Sequence, residues 1–181
     1  MRLVLLDRDG VLNEDRPQSV RTPADLVLLP RAAEAVARLN RAGVRVAIVT
    51  NQSIVGQGII DSTMLDRIHD RLRDALARDG ARVDAIFVAP DAPDTPTARR
   101  KPGGVMLREA LDRFGAAAAD TPMIGDSLRD LEAAAAIGCR RVLVRTGKGR
   151  ATQAAGLPAD VLPVAVHEDL WSAIDALLAP R

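Results

Sequence analysis

Short apolar runs alternate with longer amphipathic stretches along the whole chain, and most apolar runs end on a polar or acidic residue. Residues 3–6, four apolar positions in a row, predict a short strand buried on both faces. Residues 44–49, 83–89, 123–126 and 140–145 predict four more strands, and Val161-Leu162 a last short one. Helical stretches lie between them: residues 32–42, from Asp61 or Ser62 to about 79, 105–114, 128–137 and 168–178. Ala33, Val36, Ala37 and Leu39 share one face of the first, and Leu170, Trp171, Ile174, Leu177 and Leu178 one face of the last. Gly43, Gly80 and Gly115 stand where helices stop. Residues 13–29 read as a loop or small flap with an extended piece at 26–29. Gly56 and Gly58 read as a flexible turn, residues 147–156 as loop or frayed helix. The loop at 90–100 is stiffened by Pro90, Pro93 and Pro96.

Strands that alternate with helices argue for an α/β fold: a doubly wound parallel sheet in three layers, joined by right-handed crossovers. At 181 residues a single domain, 1–181, is expected. In such sheets ligands bind outside the carboxyl ends of the strands. Asp7, Thr50 and Asp126 each end a different strand, so residues far apart in sequence can converge.

Asp7 and Asp9 sharpen this picture. On extended chain their spacing puts both carboxylates on one side. Two carboxylates at one spot repel, and call for a cation between them or a proton on one. Gly10 lets the chain turn away. The plain alternative for an isolated D-x-D is a solvated acidic turn. Lys101 stands out by composition, because only it and Lys148 are lysines among 25 basic residues. A compact point charge was kept there in a chain that otherwise uses the planar arginine fork.

Asp7-Arg8-Asp9-Gly10-Val11-Leu12, Thr50 after the second strand, Lys101 before a helix, and Gly125-Asp126 with Asp130 follow one another in order. Together they resemble the four motifs of the haloacid dehalogenase (HAD) superfamily of phosphohydrolases, across residues 3 to about 146. The resemblance implies a Mg²⁺-dependent phosphatase that forms an aspartyl phosphate on Asp7. Asp9 is then the general acid and base. The metal is held by the Asp7 carboxylate, the Asp9 backbone carbonyl and Asp126. Thr50 bonds a phosphoryl oxygen, Lys101 neutralises charge on it, and Asp130 orients Lys101 or a metal-bound water.

Only 41 positions separate Asp9 from Thr50, too few for a separate cap domain. Within the capless group, residues 6–13, 49–53, 100–103 and 142–149 are similar to the subfamily of heptose-bisphosphate and histidinol-phosphate phosphatases. That implies a small phosphorylated sugar as substrate, first of all the 7-phosphate of D-glycero-D-manno-heptose 1,7-bisphosphate. Histidinol phosphate or another small sugar phosphate is the alternative. Thr50, Asn51, Gln52 and Ser53 become candidate substrate ligands, and Arg100 a ligand for a distal phosphate. Two departures concern substrate recognition. The subfamily usually carries a zinc loop, Cys-x-His then Cys-x-Cys, before the motif lysine. Residues 90–100 hold neither Cys nor His, so no structural zinc is expected there. A glycine and an arginine usual after Asn-Gln-Ser are replaced here by Ile54 and Gln57.

Other readings fit less well. Gly56-Gln57-Gly58 lacks the third glycine of a dinucleotide fingerprint, and Gly147-Lys148-Gly149 lacks the rest of a Walker loop. A receiver domain needs its acceptor carboxylate after the third strand, where this chain has Ala89-Pro90-Asp91. A degenerate, non-catalytic binding module would have lost one of Asp7, Asp9, Lys101 or Asp126, and all are present. His69 and His167 lie in or beside helices, away from the motifs, and read as surface or capping residues. Asp126 has a second reading, as the N-cap of the helix that follows.

A net charge of +1 and 2% aromatic residues argue against a nucleic-acid partner. No run approaches the roughly 20 apolar residues of a membrane span. A single cysteine and the absence of a signal-like segment point to a cytoplasmic protein, expected to be a monomer with no membrane partner.

Overall fold

The computed structural model describes residues 1–179. Six strands form one parallel sheet: β1 (Leu3–Leu6), β2 (Arg45–Asn51), β3 (Ala85–Ala89), β4 (Pro122–Gly125), β5 (Arg140–Val144) and β6 (Val164–His167). Their order is β3-β2-β1-β4-β5-β6. β1 thus lies between β2 and β4, with Leu6 level with Ile48 on one side and with Ile124 on the other. The chain winds outward from β1 first one way and then the other. The crevice between β1 and β4 is the switch point where such sheets bind ligands.

Among the described residues seven helices connect and flank the strands: α1 (Ala32–Arg41), α2 (Ser53–Gly56), α3 (Ser62–Ala77), α4 (Val105–Phe114), α5 (Leu128–Ala136), α6 (Gly149–Ala154) and α7 (Leu170–Leu178). The alternation of side chains along β1 shows why both faces are covered. Val4 and Leu6 join Val46 and Ile48 in a core that α1, α3 and α7 close with Val36, Leu72 and Ile174. Leu3 and Leu5 join Ala47 and Val49 in a second core under α4 and α5, with Met106, Leu107 and Ala134. The result is three layers. Between Asp9 and Thr50 the chain makes a short bridge between Asn13 and Leu28, a single 3-10 turn, α1 and most of β2. No cap domain interrupts it there.

Most expected elements are in place, with two differences. The last strand is Val164–His167, not Val161-Leu162; Val161 closes a 3-10 turn instead. Pro163 has no N–H to give a ladder, so the strand starts after it. The turn at Gly56 opens with the short helix α2. Of the two readings of residues 147–156, loop or frayed helix, the helix is present as α6.

Candidate active site

The site grows from the carboxyl ends of β1, β2 and β4. The Asp7 N–H still donates to the Ile124 carbonyl (3.0 Å), which ties the end of β1 to β4. Beyond that bond the sheet opens, and Asp7 and Asp126 face one cleft of about 400 Å³. Asp9, Asn51, Ser53, Arg100, Lys101 and Asp130 also line it.

Lys101 is the hub. Its ammonium is buried and donates to the Val49 carbonyl (2.8 Å) and to Asp130 Oδ1 (2.6 Å), and lies 3.0 Å from Asp7 Oδ1. An ammonium has three N–H groups, and each has an acceptor here. Asn51 clasps the backbone of the same residue, since its amide donates to the Lys101 carbonyl and accepts from the Lys101 N–H, both at 3.0 Å. Burial alone would lower the Lys101 pKa, but Asp130 and Asp7 outweigh it and raise it. The lysine stays charged.

Asp130 serves two masters. Its Oδ1 takes Lys101, while its Oδ2 accepts from the Ser127 N–H (3.0 Å) and hydroxyl (2.7 Å) as a capping box at the start of α5. Ser127 is therefore the N-cap of that helix. Asp126, considered for that role from sequence, is free to face the cleft.

The Asp126 carboxylate fits into a notch made by two glycines. A Cβ added at Gly10 (φ +80°) would fall 2.1 Å from Asp126 Oδ2, and one at Gly147 (φ +53°) 2.2 Å from the same atom. Only glycine leaves this space and accepts this backbone. The Lys148 N–H donates to Asp126 Oδ2 (2.8 Å), and the Thr146 hydroxyl donates to the Gly10 carbonyl (2.6 Å), joining the loops after β1 and β5.

One carboxylate oxygen from each of Asp7, Asp126 and Asp130 lies within 4.8 Å of the others. Burial first, then the neighbouring carboxylates, push Asp7 up to about 7 against the pull of Lys101. Burial likewise pushes Asp126 up to about 6, although the Lys148 N–H opposes it. One lysine does not balance three carboxylates. An all-oxygen, anionic donor set of this kind suits a hard divalent cation.

Asp9 is held apart from this cluster, by a network that sequence reasoning missed. Arg8 is fully buried and gives Nη2 to Asp9 Oδ1 and Oδ2, both at 3.0 Å. The same nitrogen donates to Gln52 Oε1 (3.0 Å), and Gln52 Nε2 donates to Asp9 Oδ2 (2.9 Å) and to Thr50 Oγ1 (2.8 Å). The Asn13 amide adds a bond to Asp9 Oδ1 (2.8 Å). Burial would raise the Asp9 pKa, but the Arg8 charge and these hydrogen bonds hold the carboxyl below its usual range.

Behind Arg8 stands His69 of α3, its Nε2 3.3 Å from Arg8 Nη1. The sequence reading of His69 as a surface or capping residue is corrected here, because the ring is buried. Burial, then Arg8 and Arg73, push its pKa down to about 3, so it is neutral. A signal for this network was available: Arg8 is in phase with Val4 and Leu6, and Gln52 with Val46 and Ile48, on the sheet face that α3 covers.

The candidate substrate ligands therefore divide. Ser53 and Arg100 open on the cleft, Asn51 lines it while holding Lys101, and Thr50 and Gln52 are buried beneath it. The loop at 90–100 is organised by polar bonds. Thr97 donates to Asp91 Oδ2 through N–H (3.3 Å) and hydroxyl (2.7 Å). Arg99 bridges the Val88 carbonyl and Glu109, and Arg100 donates to the Asp91 carbonyl (3.1 Å).

Comparisons with known proteins agree with this geometry. A HAD-hydrolase-like family model matches residues 98–173. The chain is 45% identical, over 98% of both chains, to the D-glycero-β-D-manno-heptose-1,7-bisphosphate 7-phosphatase of Bordetella bronchiseptica. The chain belongs to the HAD phosphatases. The enzyme of the same name from Pseudomonas aeruginosa is 40% identical over 97% of both chains. The crystal structure of the B. bronchiseptica D,D-heptose 1,7-bisphosphate phosphatase, complexed with magnesium and phosphate, superposes with a TM-score of 0.93 over 98% of both chains. That of the Burkholderia thailandensis enzyme is 42% identical, with a TM-score of 0.76 over 99% of this chain and all of that one. This HAD phosphatase has no helix among its described residues long and apolar enough to cross a membrane.

Proposed function

We propose that this phosphatase removes the 7-phosphate of D-glycero-D-manno-heptose 1,7-bisphosphate with Mg²⁺, through an aspartyl phosphate on Asp7. The observation that carries the mechanism is the buried Lys101 ammonium between Asp7 and Asp130, with Asp126 beside them. The relatives named above support the substrate.

Asp7, Asp126 and the Asp9 backbone carbonyl would hold the ion, which when bound offsets the carboxylate charge and polarises a phosphate oxygen. Asp130 has both oxygens engaged by Lys101 and Ser127, and so orients the lysine. The Asp7 carboxylate attacks phosphorus, the bond to the ester oxygen breaks, and Lys101 balances charge on the phosphoryl oxygens. Asp9 gives the leaving oxygen its proton and later takes one from the water that cleaves the aspartyl phosphate. Its bonds to Arg8, Gln52 and Asn13 favour the base form at rest. The incoming phosphate dianion, a like charge beside it, favours the acid form. Residues 1–181 work as one hydrolase domain in this reading, and the polar bonds of the 90–100 loop take the place of a zinc.

The test is phosphate release from both anomers of heptose 1,7-bisphosphate, fructose 1,6-bisphosphate and histidinol phosphate, with Mg²⁺ and with chelator. Mg²⁺-dependent preference for a heptose bisphosphate is expected, and preference for another member overturns the substrate. Asp7→Asn is expected to fold and to abolish turnover; retained turnover sinks Asp7 as nucleophile.

A further inference from the structure

Arg129 is an exposed residue of the first turn of α5, and lines the same cleft as Arg100. A cation in the first turn of a helix opposes the macrodipole. Among the described residues no carboxylate lies within ion-pair distance of either arginine. Among the described residues, Arg100 gives one nitrogen to the Asp91 carbonyl and Arg129 makes no side-chain hydrogen bond. Both side chains line that cleft; burial first, and then the Arg129 charge, lower the Arg100 pKa, and Asp91 opposes them. Unpaired arginines on an open surface need no explanation. Two lining one cleft, one of them against its own helix dipole and neither in a direct ion pair, leave guanidinium N–H groups open to an anion there, although the Asp91 carboxylate also acts on Arg100.

We propose that Arg129 is the second cation of a distal-phosphate subsite, which it shares with Arg100, and that it sets the preference for sugar bisphosphates over monophosphates. The proposal rests on the heptose-bisphosphate reading above. A phosphate takes two N–H bonds from a guanidinium fork, and two forks balance a dianion that one would leave half-neutralised. The placement suits the division of labour. Arg129 lies between Asp126, which would help hold the ion, and Asp130, which orients Lys101, so the start of α5 that serves the reacting phosphate also supplies a cation to the other one. A helix holds these side chains in fixed relation, so a substrate with phosphates at both ends is measured against it.

The test compares kcat and KM for heptose 1,7-bisphosphate and heptose 7-phosphate in the wild type, Arg129→Gln and Arg129→Lys. A lost charge-assisted bond to phosphate corresponds to about a ten- to hundredfold drop. Arg129→Gln is expected to lower kcat/KM for the bisphosphate by that factor, mainly through KM, and to lower the bisphosphate-to-monophosphate ratio with it. Arg129→Lys keeps the charge and loses the fork, so its ratio falls between the two. A wild type that prefers the bisphosphate, with an Arg129→Gln ratio within about twofold of it, overturns the subsite and leaves the proposed substrate standing. A wild type with no such preference overturns the substrate and the subsite together. If Arg129→Gln does not fold, an Arg129→Lys ratio equal to or above wild type overturns the role of the fork, and a reduced ratio supports it.

Discussion

The Lys101 ammonium lies 2.6 Å from Asp130 Oδ1 and 3.0 Å from Asp7 Oδ1, and both lysine and Asp130 are cut off from water. The lysine is therefore a fixed charge, aimed by a residue on another element. Removing one partner of a buried pair leaves the other uncompensated, which costs about 3–5 kcal/mol. Lys101→Met is expected to lower stability by that order in urea unfolding and to reduce kcat at least a hundredfold or so, the scale of one lost electrostatic contact to the transition state. Asp130→Asn keeps the shape and loses the charge. It is expected to retain the fold and lose most of kcat.

Gly10 and Gly147 hold the Asp126 carboxylate between two backbones. Alanine at either position meets both a positive φ and an occupied space. Each variant is expected to lose about 1–2 kcal/mol from the backbone alone, and further stability and Mg²⁺ affinity from the displaced carboxylate. Thermal melts with and without Mg²⁺ check this: the Mg²⁺-induced rise in Tm shrinks in both variants.

Asp7 and Asp126 carry raised pKa values, about 7 and about 6. In metal-free protein they bind protons more tightly folded than unfolded. Their contribution to stability is full below the ordinary carboxylate range, near pH 4, and is lost as the pH climbs through about 6 to 7. Mg²⁺ competes with those protons. The stabilisation by Mg²⁺ is expected to be small at pH 5 and large at pH 8, read as the difference in Tm against chelator. Equal shifts at the two pH values would argue against these residues as the ligands.

His69 has the opposite sign. Its folded pKa is pushed down to about 3, so below the ordinary histidine range the unfolded chain takes up a proton that the folded one refuses. Stability from this group is intact above about pH 6.5 and is lost as the pH falls towards 3. His69→Gln removes the titration and can still accept from Arg8. Urea unfolding of wild type and variant from pH 7 to pH 4.5 is expected to show a shallower acid loss in the variant. His69→Leu, which leaves Arg8 Nη1 without an acceptor, is expected to lose about 1–3 kcal/mol at neutral pH.

The sequence by itself determined the fold class and the candidate residues for the chemistry. Short apolar runs between amphipathic stretches admit one economical architecture, and Asp7, Asp9, Lys101 and Asp126 are legible because each sits at a strand end or helix start where a buried charge needs a reason. Local pattern served less well where a single residue moved an element: Pro163 pushed the last strand to Val164–His167. Only the tertiary structure decided how the candidate ligands divide. Asn51 grips the Lys101 backbone, Gln52 and buried Arg8 hold Asp9, His69 stands behind Arg8, and Arg129 lines the same cleft as Arg100. Apart from Arg8 and its sequence neighbour Asp9, each of these pairings joins residues from elements that packing alone brings together. Periodicity reports which face a side chain takes, and only the packed sheet and helices report what it meets there.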